Sequence, residues 1–125
     1  MGASEYLRDG IVNSVLRNQP LVVPIFCGSL HDGDPGDDGG NAVASQVNSV
    51  EDRAQITSSA STDGVGASTG DPATWEVEEA TTITHLGAHD AITGGNWLGA
   101  AQVAQPVTVA DGDTVTLASF SLEVD

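Results

Sequence analysis

Four aspartates, crowded into one short loop-like stretch, are the side chains in this sequence best suited to chemistry. The four are Asp32, Asp34, Asp37 and Asp38. Hard cations such as calcium are bound by several carboxylate and carbonyl oxygens on a flexible loop. The EF-hand pattern is not met, because Gly36 stands at its third acidic position and Val43 at its twelfth. Two interpretations stay open: a calcium site, or a solvated turn in which Asp and Gly serve the backbone geometry.

The histidines are the second candidate, as ligands of zinc. His85 and His89 are four residues apart, and the threonines before them favour a strand. On a strand they share one face but lie about 13 Å apart, which is too far to bind one metal ion directly. With His31 they could still converge, but no Cys or acidic spacing supports a zinc site. Ordinary strand and turn histidines are the simpler interpretation.

Nucleophilic and acid–base chemistry has no motif here. The sequence contains no Gly-x-Ser-x-Gly elbow, no Ser-x-x-Lys and no lysine at all. Cys27, the single cysteine, lies in an apolar run, which is typical of a small buried hydrophobe. Glu76 and Glu78 alternate with Trp75 and Val77, so they belong to the solvent face of a strand rather than to a catalytic pair. We therefore expect no enzymatic activity and no cofactor, with calcium as the one candidate ion.

The charge balance limits the classes of partner. The 125 residues include 18 Asp and Glu but only 3 Lys and Arg, for a net charge of -15. Such a surface repels phosphate backbones and anionic lipids, so we expect no direct nucleic-acid partner and no membrane partner. No stretch approaches the roughly 20 apolar residues of a membrane span, and the first residues do not resemble a secretory signal. The length fits one domain over residues 1–125.

The first element that must position these residues is a helix over residues 4–18. Ser4 is its expected N-cap, and Pro20 follows its end. Its apolar side chains recur at helical spacing and form one stripe. They are Leu7, Ile11, Val12, Val15 and Leu16. The stripe either covers one end of a sheet, which is the commoner behaviour of amphipathic helices, or docks on a neighbouring subunit.

The remaining residues, 21–125, predict about seven short antiparallel strands. The run 21–30 is apolar, and Pro24 makes it an edge strand or two short strands with a break. Loops are expected at 31–41 and 58–73, where Gly, Asp and Ser cluster. This pattern favours an all-β sandwich with one short N-terminal helix.

The second half carries the clearest strand signals. Trp75, Val77 and Ile83 alternate toward one side, and Thr93–Asn96 is a tight turn in which glycines supply positive φ. Residues 96–100 predict a short strand, and 107–117 predict a strand, an Asp-Gly turn and another strand. The apolar parity then shifts, which requires a bulge or turn near residues 118–119.

One run in this half resembles a known family. Residues 84–90 read THLGAHD and residues 91–96 read AITGGN. The run is similar to a T-H-x-G-x-x-D-A-x-T-G-G-N stretch in small tailed-phage virion proteins, and residues 112–114 match the G-D-T turn that follows it there. The DPGD of residues 34–37 resembles that family's loop after its first strand. The resemblance implies a β-sandwich component of the virion, of the minor-tail, tail-fibre-like or head-decoration kind, and no enzyme.

These observations combine into one functional prediction. We expect a structural component of a tailed-phage virion that packs with other virion proteins as a homo-oligomer, either a trimer or a ring. The residues expected to form the interface and the motif are Leu7, Ile11, Val15, Thr84, His85, Gly87, Asp90, Gly94, Gly95 and Asn96. Gly87 and Ala88 are expected to permit close approach of a neighbour, and Asp90 to hydrogen-bond the Thr93–Asn96 turn. The alternative is a calcium- or carbohydrate-binding attachment module, in which Trp75 and Trp97 stack on sugar rings.

Overall fold

A computed structural model describes residues 2–50, 52–58, 60, 65–67, 72–117 and 121–123. Within them the chain forms nine strands and two helices. The helices are α1 (Glu5–Leu16) and α2 (Ala42–Ser45). The strands are β1 (Gly2–Ala3), β2 (Cys27–His31), β3 (Ala54–Gln55), β4 (Val65–Ala67), β5 (Thr74–Glu76), β6 (Thr81–His89), β7 (Trp97–Val109), β8 (Thr114–Thr116) and β9 (Ser121–Glu123). All pairings are antiparallel, which confirms the predicted β fold with an N-terminal helix.

The central sheet has five strands in the order β1-β7-β6-β2-β3. Its register sets which residues share a face: Leu30 lies opposite Leu86, and Ser29 lies opposite Gly87. Because successive side chains of a strand point to opposite faces, one face is apolar around Leu30 and Leu86. The other face carries Ser29 and its polar neighbours.

The apolar face is covered by a second layer, the two-stranded β5–β8 sheet. Trp75 of β5 is 1% exposed and packs in the same core cluster as Leu30, Ile83 and Leu86. Val77 is buried as well, whereas Glu76 and Glu78 are exposed, as the alternation predicts. The two layers form the expected sandwich.

Helix α1 covers the other end of the apolar face, but with a different side from the one predicted. Leu7 alone among its residues is buried, against Ala88 and Leu98. Two small residues continue the inward side: Gly10 lies against Leu21, and the Ser14 hydroxyl accepts a 2.9 Å hydrogen bond from the Leu21 N–H. The prediction that the apolar stripe covers the sheet is therefore wrong beyond Leu7, since small residues, not large ones, allow the helix to approach.

The ends of α1 are close to the predicted ones. The Ser4 Oγ accepts a hydrogen bond from the Leu7 N–H at 3.1 Å, as an N-cap does. The helix ends at Leu16, two residues before the predicted end. Asn18 follows with a positive φ of 52°, a conformation that Asn tolerates and that turns the chain away.

Three strand predictions need correction. β2 begins at Cys27, after Pro24, and it lies between β6 and β3 rather than at an edge. Its last residue is His31, which was expected to begin the loop. β7 runs as one strand from 97 to 109, where two separate strands were expected. Pro106 has no N–H to donate, but it lies where the pairing of β7 with β6 is irregular, so the strand tolerates it. The predicted 58–73 loop contains strand β4. The parity shift expected near 118–119 lies outside the described residues.

Candidate functional site

The aspartate loop and the 84–96 run, separate in sequence, meet over the polar face of the central sheet. The indole of Trp97 is the link: its Nε1–H donates a 2.8 Å hydrogen bond to the main-chain carbonyl of Asp37. The same ring lies against Gly39 of the loop. It also makes edge contacts with His31 and His89, with ring centroids 5.8 and 4.8 Å away. The loop is thus held down over a cluster of buried polar side chains.

That cluster is a hydrogen-bonded network of serines and histidines. The Ser29 Oγ lies 2.7 Å from His31 Nε2 and 2.8 Å from His89 Nε2. On the far side, His31 Nδ1 lies 3.0 Å from the Ser45 Oγ, which donates to the Asn41 carbonyl at 2.7 Å. Ser29, His31, Ser45 and His89 are all buried. The strand register explains the convergence, because Ser29 and His31 alternate on β2 while His89 lies across the ladder on β6.

One direction of donation satisfies every bond of this network. Because the Ser45 hydroxyl donates to a carbonyl, it must accept from His31 Nδ1–H. A neutral His31 then accepts at Nε2 from the Ser29 hydroxyl, and Ser29 accepts in turn from His89 Nε2–H. The hydrogens are assigned by this logic, which requires a neutral His31 and is compatible with a neutral His89.

Burial keeps these two histidines neutral. Loss of solvent lowers the pKa of His31 from 6.5 to about 4, and the nearby His85 adds to the effect. Loss of solvent likewise lowers the pKa of His89 from 6.5 to about 4, with further contributions from Arg53 and His31. His31 and His89 therefore do converge, as the zinc hypothesis required, but through a serine hydroxyl. His85 is only partly buried, and its Nδ1 pairs with the Thr84 Oγ1 at 2.8 Å.

Gly87 gives this network its space. A Cβ at this position would stand 2.5 Å from Trp97 Cη2 and 2.7 Å from both His31 Nε2 and Ser29 Oγ. These distances are shorter than real Cβ contacts. The predicted close approach at Gly87 is real, but the neighbour is Trp97 of the same chain, not another subunit.

The turn of the 84–96 run is built as expected. Asp90 accepts two hydrogen bonds from Asn96, from the backbone N–H at 2.6 Å and from Nδ2 at 3.0 Å. Gly94 and Gly95 have φ of 63° and 73°. Burial alone would raise the pKa of Asp90, but the hydrogen bonds from Asn96 outweigh it and hold that pKa below its usual range.

The side chains of the four aspartates of the loop make separate contacts. Asp34 Oδ1 accepts from the Gly36 N–H at 2.9 Å, and Asp38 Oδ1 accepts from the Glu5 N–H at 2.6 Å, at the start of α1. The Asp37 side chain lies against Gly2, and Asp32 is exposed. In the described part of the chain, no group of three or more His, Cys, Asp or Glu side chains is placed to hold a metal ion. The calcium site stays a prediction.

Two further expectations concern single residues. Trp75 is buried in the core, so it cannot stack on a sugar ring, and that part of the carbohydrate hypothesis is wrong. Cys27 is fully buried, as predicted, and burial raises the pKa of its thiol. None of the described helices is long and apolar enough to cross a membrane.

The outer side of α1 leaves four aliphatic side chains in solvent. Ile11, Val12, Val15 and Leu16 are 36%, 51%, 76% and 76% exposed. They follow one another along the helix at spacings of three and four residues, so they form one continuous surface. We call these four residues the outer face of α1.

Comparison with known proteins places the chain in a family. A family model described as podophage GP4 fiber I protein gp80 matches residues 2–125. The chain belongs to this fiber I family. It is accordingly a structural component of a phage virion. No curated protein matches the chain.

Several residues that organise this fiber I chain escape sequence reasoning. Ser29 and Ser45 complete the histidine network, and only the alternation of Ser29 with His31 hinted that they share a face. Arg53 Nη1 donates to the carbonyls of Ala91 and Gly94 at 2.8 and 2.7 Å and so clamps the turn. Nothing local marks the bond of Ser45 to His31 or those of Arg53 to the turn, since these partners are 14 or more residues apart.

Proposed function

We propose that this chain is a non-enzymatic building block of the phage fibre, which works by packing against other virion proteins as a homo-oligomer. The single observation that carries the proposal is the outer face of α1. A surface of four neighbouring aliphatic side chains, on a chain with a net charge of -15, is the kind of patch that marks an interaction site.

Energetics favour covering this face. Full burial of a valine or leucine side chain stabilises by about 1.5–3 kcal/mol. Val15 and Leu16 gain little of this stabilisation within the chain, because each is 76% exposed. The like charges of the copies oppose association, so the apolar contact between the helix faces has to outweigh that repulsion.

The arrangement we propose is a trimer or ring around the fibre or tail, rather than a decoration of the head. The description of the family as a fibre protein supports the tail side. A closed symmetry is the common form of a homo-oligomer, and it places the same helix face of every copy in the same contact.

The test is a charge placed on the outer face. Val15→Glu and Leu16→Glu should leave the thermal unfolding midpoint close to that of the wild type, because both side chains are exposed. They should lower the copy number of the chain in purified particles and shift its mass in solution toward the monomer. Val43→Glu is the matched control, since Val43 is 90% exposed but lies on α2. Wild-type incorporation of both α1 variants would reject the proposal.

A further inference from the structure

An apolar cleft lies between the two layers of the sandwich. Its volume is about 300 Å³. Its floor includes Leu30, Trp75 and Leu86, and its sides are residues 101–104 and 107 of β7 and residues 115–117 at β8. The floor residues are part of the main core, so the cleft opens directly onto the interior of the sandwich.

Within the described residues, the strands beside this cleft have edges that no other strand pairs with. β1 pairs with β7 only at Gly99 and Ala100, so from 101 onward β7 has β6 as its only partner among the described strands. β8 likewise pairs with β5 alone in that part of the chain. Free edges present unpaired N–H and C=O groups, which an added strand can pair. The cleft thus lies where a further strand would close the sandwich.

The cleft floor also holds an unpaired donor. Trp75 is 1% exposed, and its indole Nε1–H has no hydrogen-bond partner among the described residues. A buried donor left unpaired costs about 1–3 kcal/mol. The core beneath the cleft therefore carries an unmet hydrogen bond, at an atom that is itself closed to solvent.

Charge identifies the kind of occupant. The described side chains that line the cleft are uncharged, whereas the adjoining end of β8 is acidic: Asp111 and Asp113 precede it, and Glu76 lies across from Thr114. All three acids are exposed. A second copy would bring its own net charge of -15 against this rim, while a segment with Lys or Arg beside its apolar residues is attracted to it.

We propose that this cleft receives an extended segment of a different virion protein, which adds as a β-strand to the free edge of β7 or β8. The segment alternates apolar side chains, which enter the cleft, with polar ones, and it carries basic residues at one end. The inference rests on the proposed function only in taking the partner from the virion; it uses a surface separate from the outer face of α1.

Photocrosslinking in assembled particles tests this proposal. The photoreactive residue p-benzoylphenylalanine is placed at position 104, because Ala104 lines the cleft and is exposed. Position 43 is the control, since Val43 is 90% exposed, lies on α2 and does not belong to the lining. Mass spectrometry identifies the crosslinked peptide. We expect a crosslink from position 104 to one segment of another virion protein, rich in Lys or Arg, and none to that segment from position 43.

A crosslink from position 104 to a second copy or within the same chain would overturn the proposal, and so would equal crosslinking from both positions or none from position 104. A third probe at position 15 separates this inference from the proposed function. Crosslinks from position 15 without any from position 104 would reject the strand-accepting cleft and leave packing through α1 intact. As a second readout, Ala104→Trp should block the cleft and remove the crosslinked protein from particles, whereas Val43→Trp should not.

Discussion

Trp97 and Asp37, 60 residues apart in sequence, are joined by a 2.8 Å hydrogen bond from the indole N–H to a main-chain carbonyl. This bond holds the aspartate loop over the Ser29–His31–His89 network. The aspartate loop and the 84–96 run are therefore parts of one structural unit. In that unit the histidines, serines and aspartates stabilise the fold, because their polar atoms bind one another and the backbone.

The Trp97–Asp37 contact predicts a graded response to substitution. Trp97→Phe keeps an aromatic ring against the histidines but removes the donor, so we expect a loss of about 1 kcal/mol in the free energy of unfolding. Trp97→Ala removes the ring as well and should cost about 3–5 kcal/mol. Urea unfolding at pH 7 measures both, with Trp75 as the remaining fluorophore. Equal stability of the two variants would show that the ring itself contributes nothing.

Gly87 should tolerate no side chain. Gly87→Ala places a methyl group within 2.7 Å of three side chains that are fixed by one another, and overpacking of this kind costs about 1–3 kcal/mol or more. Gly40→Ala is the control, because a Cβ there meets nothing within 4 Å and should leave stability nearly unchanged. The comparison is made by thermal unfolding at pH 7. A Gly87→Ala protein as stable as the control would contradict the described packing.

Local signals explain which parts of the fold the sequence predicts well. The cap at Ser4, the alternation of Trp75 and Val77, and the bonds from Asn96 to Asp90 depend on residues close in sequence. Each is therefore visible as a spacing or a residue type.

Long-range pairing explains the rest. The helical period finds the stripe through Val15, but it does not show which side of α1 packs, and here Gly10 and Ser14 permit the closer approach. The convergence of His31 with His89 depends on the register of β2 with β6, which no local pattern contains. For the same reason the sequence does not show the cleft, which forms only when β7 and β8 face each other.

Asp90 should be the main support of the turn after β6. Asp90→Ala leaves the backbone N–H and Nδ2 of Asn96 without their acceptor, so we expect a loss of about 1–3 kcal/mol in the free energy of unfolding. Asp90→Asn retains one carbonyl oxygen and should lose less. Asp34→Asn is the control: Asp34 is exposed and accepts one hydrogen bond, from Gly36. If Asp90→Ala lowered the free energy of unfolding no more than this control does, the two hydrogen bonds from Asn96 would contribute nothing to stability.

Calcium offers a direct test of the aspartate loop. The carboxylates of Asp34 and Asp38 already accept backbone hydrogen bonds at separate places, so we expect the same thermal midpoint in millimolar calcium and in chelator. Specific binding to the folded state would raise the midpoint with calcium concentration. If the midpoint rises with calcium, and the rise is absent when Asp34 and Asp38 are both changed to Asn, the result would instead support the attachment-module alternative.

Acid should destabilise the protein through its buried histidines. The pKa of both His31 and His89 is lowered on folding from 6.5 to about 4, so the unfolded chain binds more protons between these values. The free energy of unfolding therefore has its full value, as far as these histidines are concerned, above about pH 6.5. It decreases as the pH falls toward 4, by at most roughly 3 kcal/mol per histidine. The free energy of unfolding, measured by urea titration from pH 7 to pH 4.5, should fall less steeply in His89→Gln than in the wild type. The carboxylates titrate in both proteins, so the difference between the two slopes isolates the histidine. Parallel slopes would mean that His89 is not held neutral by burial.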